Sequence, residues 1–276
     1  MEQRDRVIQV LSENGLHPSK SLGQNFLIDE AAIAAIVDAV APEGRLVLEI
    51  GPGLGALTGP LCARAERVVA VEKDAAMAET LARTLAAKNL TVVTQDFLDC
   101  DIAALTNGKP FAAAGNLPYY VTTPITEKLL AAQPMTATLM VQQEASERFF
   151  ARPGSRVYGP LSVVSQICFA PARVLDVPRA SFYPAPEVDS SVVQLVRRNS
   201  APDAGAFLAY LKKAFAMRRK TLRNNLLSHQ SGFDRDLESL GLPAGVRAEA
   251  LPPETLAALF ALYLAGKNAD GRVNRS

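Results

Sequence analysis

The sequence predicts a mostly parallel α/β domain followed by a small all-helical one, and three observations carry that prediction. From Leu46 to about Arg197, short runs rich in Val, Ile and Leu alternate with longer helical patterns, as parallel strands joined by crossover helices do. A glycine-rich turn, Gly51-Pro52-Gly53-Leu54-Gly55, follows the first of those runs directly. From Asn199 to Gly205 turn formers and polar residues gather, and beyond them only helical patterns remain. The boundary is therefore expected there, with residues 1–200 forming the α/β domain and its N-terminal helical extension, and residues 201–276 the helical domain.

Seven strands are expected in order: Leu46 to Ile50, Arg67 to Glu72, Thr91 to Gln95, Phe111 to Gly115, Thr138 to Gln142, Arg173 to Val177 and Ser191 to Val196. Helices fit between them; Asp29 can cap the Ala/Ile-rich segment after it, and Asp74 the segment from Ala75 to about Ala87. Past the boundary, helices are expected over Ala206 to Met217, Lys220 to Ser228, Phe233 to Leu240 and Pro253 to Ala265, with a loose polar tail from Lys267.

Composition excludes several classes of function. With 29 Lys+Arg against 28 Asp+Glu, the formal charge is +1, too small for a nonspecific nucleic-acid binder, so any such contact has to come from a local patch. No apolar run approaches the roughly 20 residues that cross a bilayer. Met1 to Gly15 alternate charged and apolar positions and carry no secretory pattern, so a cytoplasmic protein is expected. Cys62, Cys100 and Cys168 are widely spaced and odd in number, which argues against a disulfide frame or a zinc site. With only His17 and His229 present, a His-rich metal site and a His-based triad are both disfavoured, and no metal is expected.

The glycine turn lets backbone amides approach a ligand and sets a helix N-terminus beside it, a feature shared by several nucleotide cofactors and by plain tight turns. Glu72 ends the next strand, where a carboxylate can accept hydrogen bonds from ribose hydroxyls, unless it is simply a solvated strand-end acid. Asp96 ends the third strand, within reach of an adenine amino group. A glycine loop followed by two such acids resembles class I methyltransferases more than dehydrogenases, because a sulfonium tolerates an acidic neighbourhood and a pyrophosphate does not.

The fourth strand ends in Gly115-Asn116-Leu117-Pro118-Tyr119, where the signal becomes specific. The exocyclic amine of adenine is a poor nucleophile, since its lone pair is delocalised into the ring. The Asn116 side-chain oxygen and the Leu117 carbonyl can bind its two hydrogens and favour a more tetrahedral nitrogen, with Pro118 fixing the backbone. Tyr119 offers an aromatic face for an unstacked base. A Pro-stiffened loop from Ser181 to Ser190 carries Phe182 and Tyr183, either of which can cover the second face of that base or fill the core. Lys212, Lys213, Arg218, Arg219, Lys220 and Arg223 concentrate basic charge on or beside the C-terminal helices, suiting phosphate contact or a solvated face; Arg152 and Arg156 can extend that surface.

Taken together, Ser21 to Leu27, the Glu49 to Gly55 loop, Asn116 to Tyr119 and Phe182 to Ser190 resemble, in order and spacing, the KsgA family of rRNA adenine dimethyltransferases. The Erm-type enzymes of large-subunit rRNA are the nearest rivals, and two segments favour KsgA: Tyr119 to Ile125, and Ala214 to Leu226. The resemblance implies a Rossmann-like class I fold with a central, mostly parallel seven-stranded sheet, and S-adenosylmethionine as cofactor. It further implies methylation of N6 on two adjacent adenosines near the 3′ end of 16S rRNA, within the small ribosomal subunit or its precursor, and a role in subunit biogenesis. It places Asn25, Leu27, Gly51 and the neighbouring Gly53 against the cofactor, Glu72 on the ribose, Asp96 on the adenine and Asn116 between cofactor and target. Base-stacking roles for Tyr119 and Phe182 complete the implied set; RNA contact by Arg218, Arg219, Lys220 and Arg223 is expected from their basic charge, in a protein taken as a monomer. A ribosome-assembly factor with methylation secondary is the second hypothesis, which the intact Asn116 motif argues against; a dehydrogenase is disfavoured by the same motif.

Overall fold

The computed structural model describes residues 3–19, 22–227 and 232–273. The elements run α1 (Gln3–Glu13), β1 (Phe26–Leu27), α2 (Glu30–Val40), β2 (Leu46–Ile50), α3 (Thr58–Arg64), β3 (Arg67–Glu72), α4 (Ala75–Thr84) and β4 (Leu90–Thr94). Next come α5 (Ile102–Thr106), β5 (Phe111–Asn116), α6 (Thr122–Ala131), β6 (Thr136–Gln142), α7 (Gln143–Phe150) and α8 (Pro160–Cys168). The chain continues through β7 (Phe169–Val177), β8 (Phe182–Tyr183), β9 (Ser190–Arg197), α9 (Ala204–Ala214), α10 (Leu222–Leu226), α11 (Phe233–Ser239) and α12 (Pro253–Val273).

Seven strands form one sheet in the order β4-β3-β2-β5-β6-β9-β7. The pairs from β4 to β6 are parallel, and β9 is antiparallel to β6. Strands β2 and β5 are buried along their length, as expected where helices cover both faces, whereas edge strand β4 is only partly covered. Helix α2 shows how the sequence builds this layer. Ile33, Ile36, Val37 and Val40 recur at helical spacing and pack on Val47, Ala112, Ala114, Met140 and Val192 of the sheet. Asp29 starts that helix by accepting from Ala32 N–H at 3.0 Å, and Asp74 starts α4 through Ala76 and Met77.

From β2 the chain steps outward to β3 and β4, then returns to the other side of β2 as β5. The C-terminal ends of β2 and β5 thus flank a topological switch point, where open α/β sheets bind ligands. Gly115 is needed there: a Cβ would sit 2.8 Å from the Ile50 carbonyl of the neighbouring strand.

The chain divides into two compact units, Met1–Ser146 with Pro171–Arg197, and Glu147–Ala170 with Arg198–Ser276. Residues 147–170, expected with the α/β part, go with the helices because α8 packs against α9 and α12. Within this second unit the Tyr158 hydroxyl donates to Leu251 O at 2.8 Å, and Phe207, Tyr210, Phe260 and Tyr263 form an aromatic cluster. Instead of a loose tail from Lys267, α12 continues to Val273. The helix expected over Lys220 to Ser228 is shorter, Leu222–Leu226, and Ser228 lies outside the described residues. Sequence reading also missed the two-residue ladder of β1 and β8, too short to show a period. Among the described residues no helix is long and apolar enough to cross a membrane.

Candidate functional site

The segment before α2 is laid against the C-terminal ends of the strands by side chains that read its own backbone. Gln24 accepts from Ser19 N–H at 2.8 Å and donates to Asp74 at 3.0 Å, tying this arm to the start of α4. Asn25 donates to Gly23 O at 3.2 Å. Further on, Ile28 N–H donates to Ser181 O at 2.8 Å, and the Ser181 hydroxyl to Asp29 at 2.9 Å, so the arm is held from the far end of the chain as well. Ser21 of the expected motif lies outside the described residues.

After β2 the glycine loop turns with Gly51 at φ 67° and Gly53 at φ 54°, conformations that side chains with a Cβ rarely adopt. Gly53 N–H donates to Glu72 Oε2 at 3.0 Å, and Asp74 N–H to Glu72 Oε1 at 2.9 Å. Glu72 is thus no solvated strand-end acid: it is 7% exposed, and burial raises its pKa against the opposing pull of those two amides. Asp96 behaves differently. It pairs with Lys73 Nζ at 2.8 Å and accepts from Leu98 N–H at 2.9 Å, which together hold its carboxyl below the usual carboxylate range.

At the end of β5, the Asn116 side-chain nitrogen donates to Asn25 O at 3.1 Å, fixing which way the amide points. Leu117 N–H donates to Met140 O at 3.0 Å, and Thr122 Oγ1 donates to Pro118 O at 3.2 Å. The Tyr119 hydroxyl shares a 3.0 Å hydrogen bond with Ser190 Oγ, which anchors the ring by its polar end.

One pocket gathers Asn25, Leu27, Gly51, Glu72, Asp96, Asn116, Leu117 and Tyr119 on its walls. Gly53 is not among the wall residues; its N–H donates to Glu72, which is. Phe182 is the correction. It is 3% exposed, registers opposite Leu27 in the short ladder and packs among Ile33, Ile36 and Val192, so in this conformation it fills the core and does not reach the pocket. The structure adds wall residues that spacing did not single out: Glu49, Lys73 and Tyr120, the last 55% exposed at the rim beside Gly23. For Glu49 a signal existed, an acid inside the otherwise apolar strand Leu46–Ile50.

In the helical unit the expected cationic set splits. Arg218 pairs with Glu249 at 2.9 Å and donates to Arg156 O at 3.0 Å, and Arg223 grips Asp234 with two nitrogens at 2.7 and 2.9 Å. Arg219 and Lys220 are exposed on the same segment. Among the described residues no cluster of three or more His, Cys, Asp or Glu is placed to hold a metal ion.

Comparison with known proteins places this geometry. The model of the ribosomal RNA adenine dimethylase family matches residues 16–264. A ribosomal RNA small subunit methyltransferase A from Deinococcus radiodurans is 45% identical over 263 residues, spanning 93% of this chain and 89% of the relative. One of the same description from Geobacillus thermodenitrificans is 39% identical, spanning 92% and 94%. Among solved structures, the 23S rRNA methyltransferase ErmE is 30% identical with a TM-score of 0.63, covering 87% of this chain and 99% of its own. A dimethyladenosine transferase from Plasmodium falciparum shares the fold at a TM-score of 0.71 and 24% identity, covering 88% and 98%.

Proposed function

Since the chain belongs to the ribosomal RNA adenine dimethylase family, we propose that it transfers methyl groups from S-adenosylmethionine to N6 of two adjacent adenosines near the 3′ end of 16S rRNA in the small ribosomal subunit. The observation that carries this reading is the Asn116 amide. Its nitrogen is occupied by the Asn25 carbonyl, so its oxygen is left to accept, next to Leu117 on the wall of an acidic pocket. Asn116 Oδ1 and the Leu117 carbonyl take the two amine hydrogens of adenine and draw its lone pair out of conjugation, while the Tyr119 ring supports the unstacked base.

The pocket fits the cofactor on its own chemistry. Glu49, Glu72 and Asp96 line it, a surround that favours a cationic group over an anionic one, and Glu49 is buried without a hydrogen-bond partner at Oε2. Glu72 receives the ribose hydroxyls, Asp96 the adenine amine, and Asn25, Leu27 and Gly51 line the cofactor between them. When bound, S-adenosylmethionine supplies a methyl group on a positively charged sulfur. Around it the chain positions the target nitrogen, excludes water with Leu27 and Leu117, and keeps the charges of the wall fixed.

Preference for the small subunit rests on relatives of that description at 39% and 45% identity, against 30% for the 23S enzyme. Arg219 and Lys220 are the cations we assign to rRNA phosphates, and the protein acts in the cytoplasm, where small subunits are assembled. The test is transfer of labelled methyl to undermethylated small subunits, with large subunits and Asn116→Ala in parallel. Label in N6,N6-dimethyladenosine of the small-subunit rRNA, lost in the variant, supports the reading. Label confined to large-subunit RNA overturns it, as does subunit binding without label.

A further inference from the structure

The most deeply buried acid on the pocket wall takes no part in the methyl-transfer step itself. Glu49 lies inside β2, between Ala70 of β3 and Ala114 of β5 in the strand register, and is 1% exposed. Glu49 is among the residues that line the pocket, and its Oε2 is buried without a hydrogen-bond partner. Buried carboxyl groups are costly as anions and are usually paired, so a carboxyl held here without a partner favours its neutral form until a cation comes near.

We infer that Glu49 gives up a proton when the cationic aminoacyl end of the cofactor enters the pocket, so that cofactor capture is coupled to proton release. This rests on the cofactor reading above and deepens it. Without a cation nearby, burial pushes the Glu49 carboxyl up to about 8, the Thr58 hydroxyl opposes the rise, and the charge of Glu72 from β3 adds to it. Cys62, on α3, also feels this carboxyl, and its own thiol is pushed up to about 11, so it offers no compensating charge. Burial and the charge of Glu72 from β3 thus outweigh the Thr58 hydroxyl of α3 and leave Glu49 largely neutral at pH 7. An ammonium brought beside it inside a low-dielectric pocket reverses the balance, because the attraction acts only on the ionised form. The proton passes to bulk buffer, and no covalent bond changes. Glu72 differs from Glu49 in that two backbone amides donate to its carboxylate and favour its ionised form, and the Glu49→Gln variant separates the two acids.

Titration calorimetry of the full chain with S-adenosylmethionine, in buffers of different ionisation enthalpy at pH 7, counts the protons released. Adenosine, which lacks the cationic end, is the second probe. For a carboxyl near 8, about 0.9 proton should leave per S-adenosylmethionine bound, none should leave with adenosine, and Glu49→Gln should bind S-adenosylmethionine without release. Independently of any variant, the wild-type dissociation constant should fall by up to about tenfold per pH unit as pH rises toward 7, where the α-amino group of the cofactor is still protonated. Cofactor binding with no proton released, equal release with adenosine, release retained in Glu49→Gln, or a flat pH profile each overturns the inference while leaving the cofactor reading intact. Failure of S-adenosylmethionine to bind at all overturns both.

Discussion

The side-chain nitrogen of Asn116 donates to the backbone carbonyl of Asn25 at 3.1 Å, across 91 residues of chain. That bond decides which end of the amide faces the pocket. Asn116→Ala should therefore lower the single-turnover methylation rate by about 10²–10³ while changing the cofactor dissociation constant much less. Asn116→Asp should fare no better, since a carboxylate cannot donate to the Asn25 carbonyl. An alanine variant within a few-fold of wild type would remove the paired-acceptor mechanism.

Tyr119 and Phe182 should separate by the kind of damage their loss causes. Tyr119→Phe forfeits one hydrogen bond to Ser190 Oγ, worth about 1 kcal/mol of stability, and keeps most activity. Tyr119→Ala also removes the ring, costing about 1–3 kcal/mol of base stacking, to be read as a raised KM for subunits. Phe182→Ala should instead cost about 3–5 kcal/mol in urea unfolding. Lost methylation with unchanged unfolding would return Phe182 to the base.

Glu72 links the glycine loop to the start of α4 through Gly53 and Asp74. Glu72→Ala leaves those part-buried amides without their acceptor, at about 1 kcal/mol for each. Cofactor affinity and thermal midpoint should fall together. A variant that loses affinity while keeping its midpoint would show that the carboxylate serves the ligand alone.

Subunit binding should depend on Arg219 and Lys220 more than on Arg218 and Arg223, which are held by Glu249 and Asp234. Alanine at either exposed position should weaken binding and reduce the slope of log K against log salt by about 1. Arg223→Ala should leave the slope nearly unchanged. Equal slopes for all four variants would mean that the internal pairs open on RNA.

Glu49 makes stability depend on pH in a defined direction. Its carboxyl rises from 4.5 to about 8 on folding, so the folded chain binds more protons than the unfolded one between those values. Stability should fall as pH rises through that window. Thermal midpoints of wild type and Glu49→Gln should lie close together near pH 4.5 and separate toward pH 8, with the variant the more stable. Parallel curves would place the Glu49 proton elsewhere.

The sequence by itself determined the features that arise from near neighbours. Leu46–Ile50 and Arg67–Glu72 follow from apolar runs closed by turn chemistry, Asp29 and Asp74 from the capping of the helix that comes next, and the Asn116 to Tyr119 motif from adjacent residues. What the tertiary structure decided is which of those side chains line the pocket. Phe182 and Tyr183 could not be told apart by spacing; a two-residue ladder with Phe26 and Leu27 sends Phe182 into the core. Arg218 and Arg219 read alike until Glu249, 31 residues further on, engages one of them. Glu49 reads as part of a strand until the fold buries it beside Thr58 and Glu72 with one oxygen lacking a hydrogen-bond partner. Burial and pairing depend on residues distant in the chain, so local pattern cannot carry them; only the packed fold brings those partners within contact range.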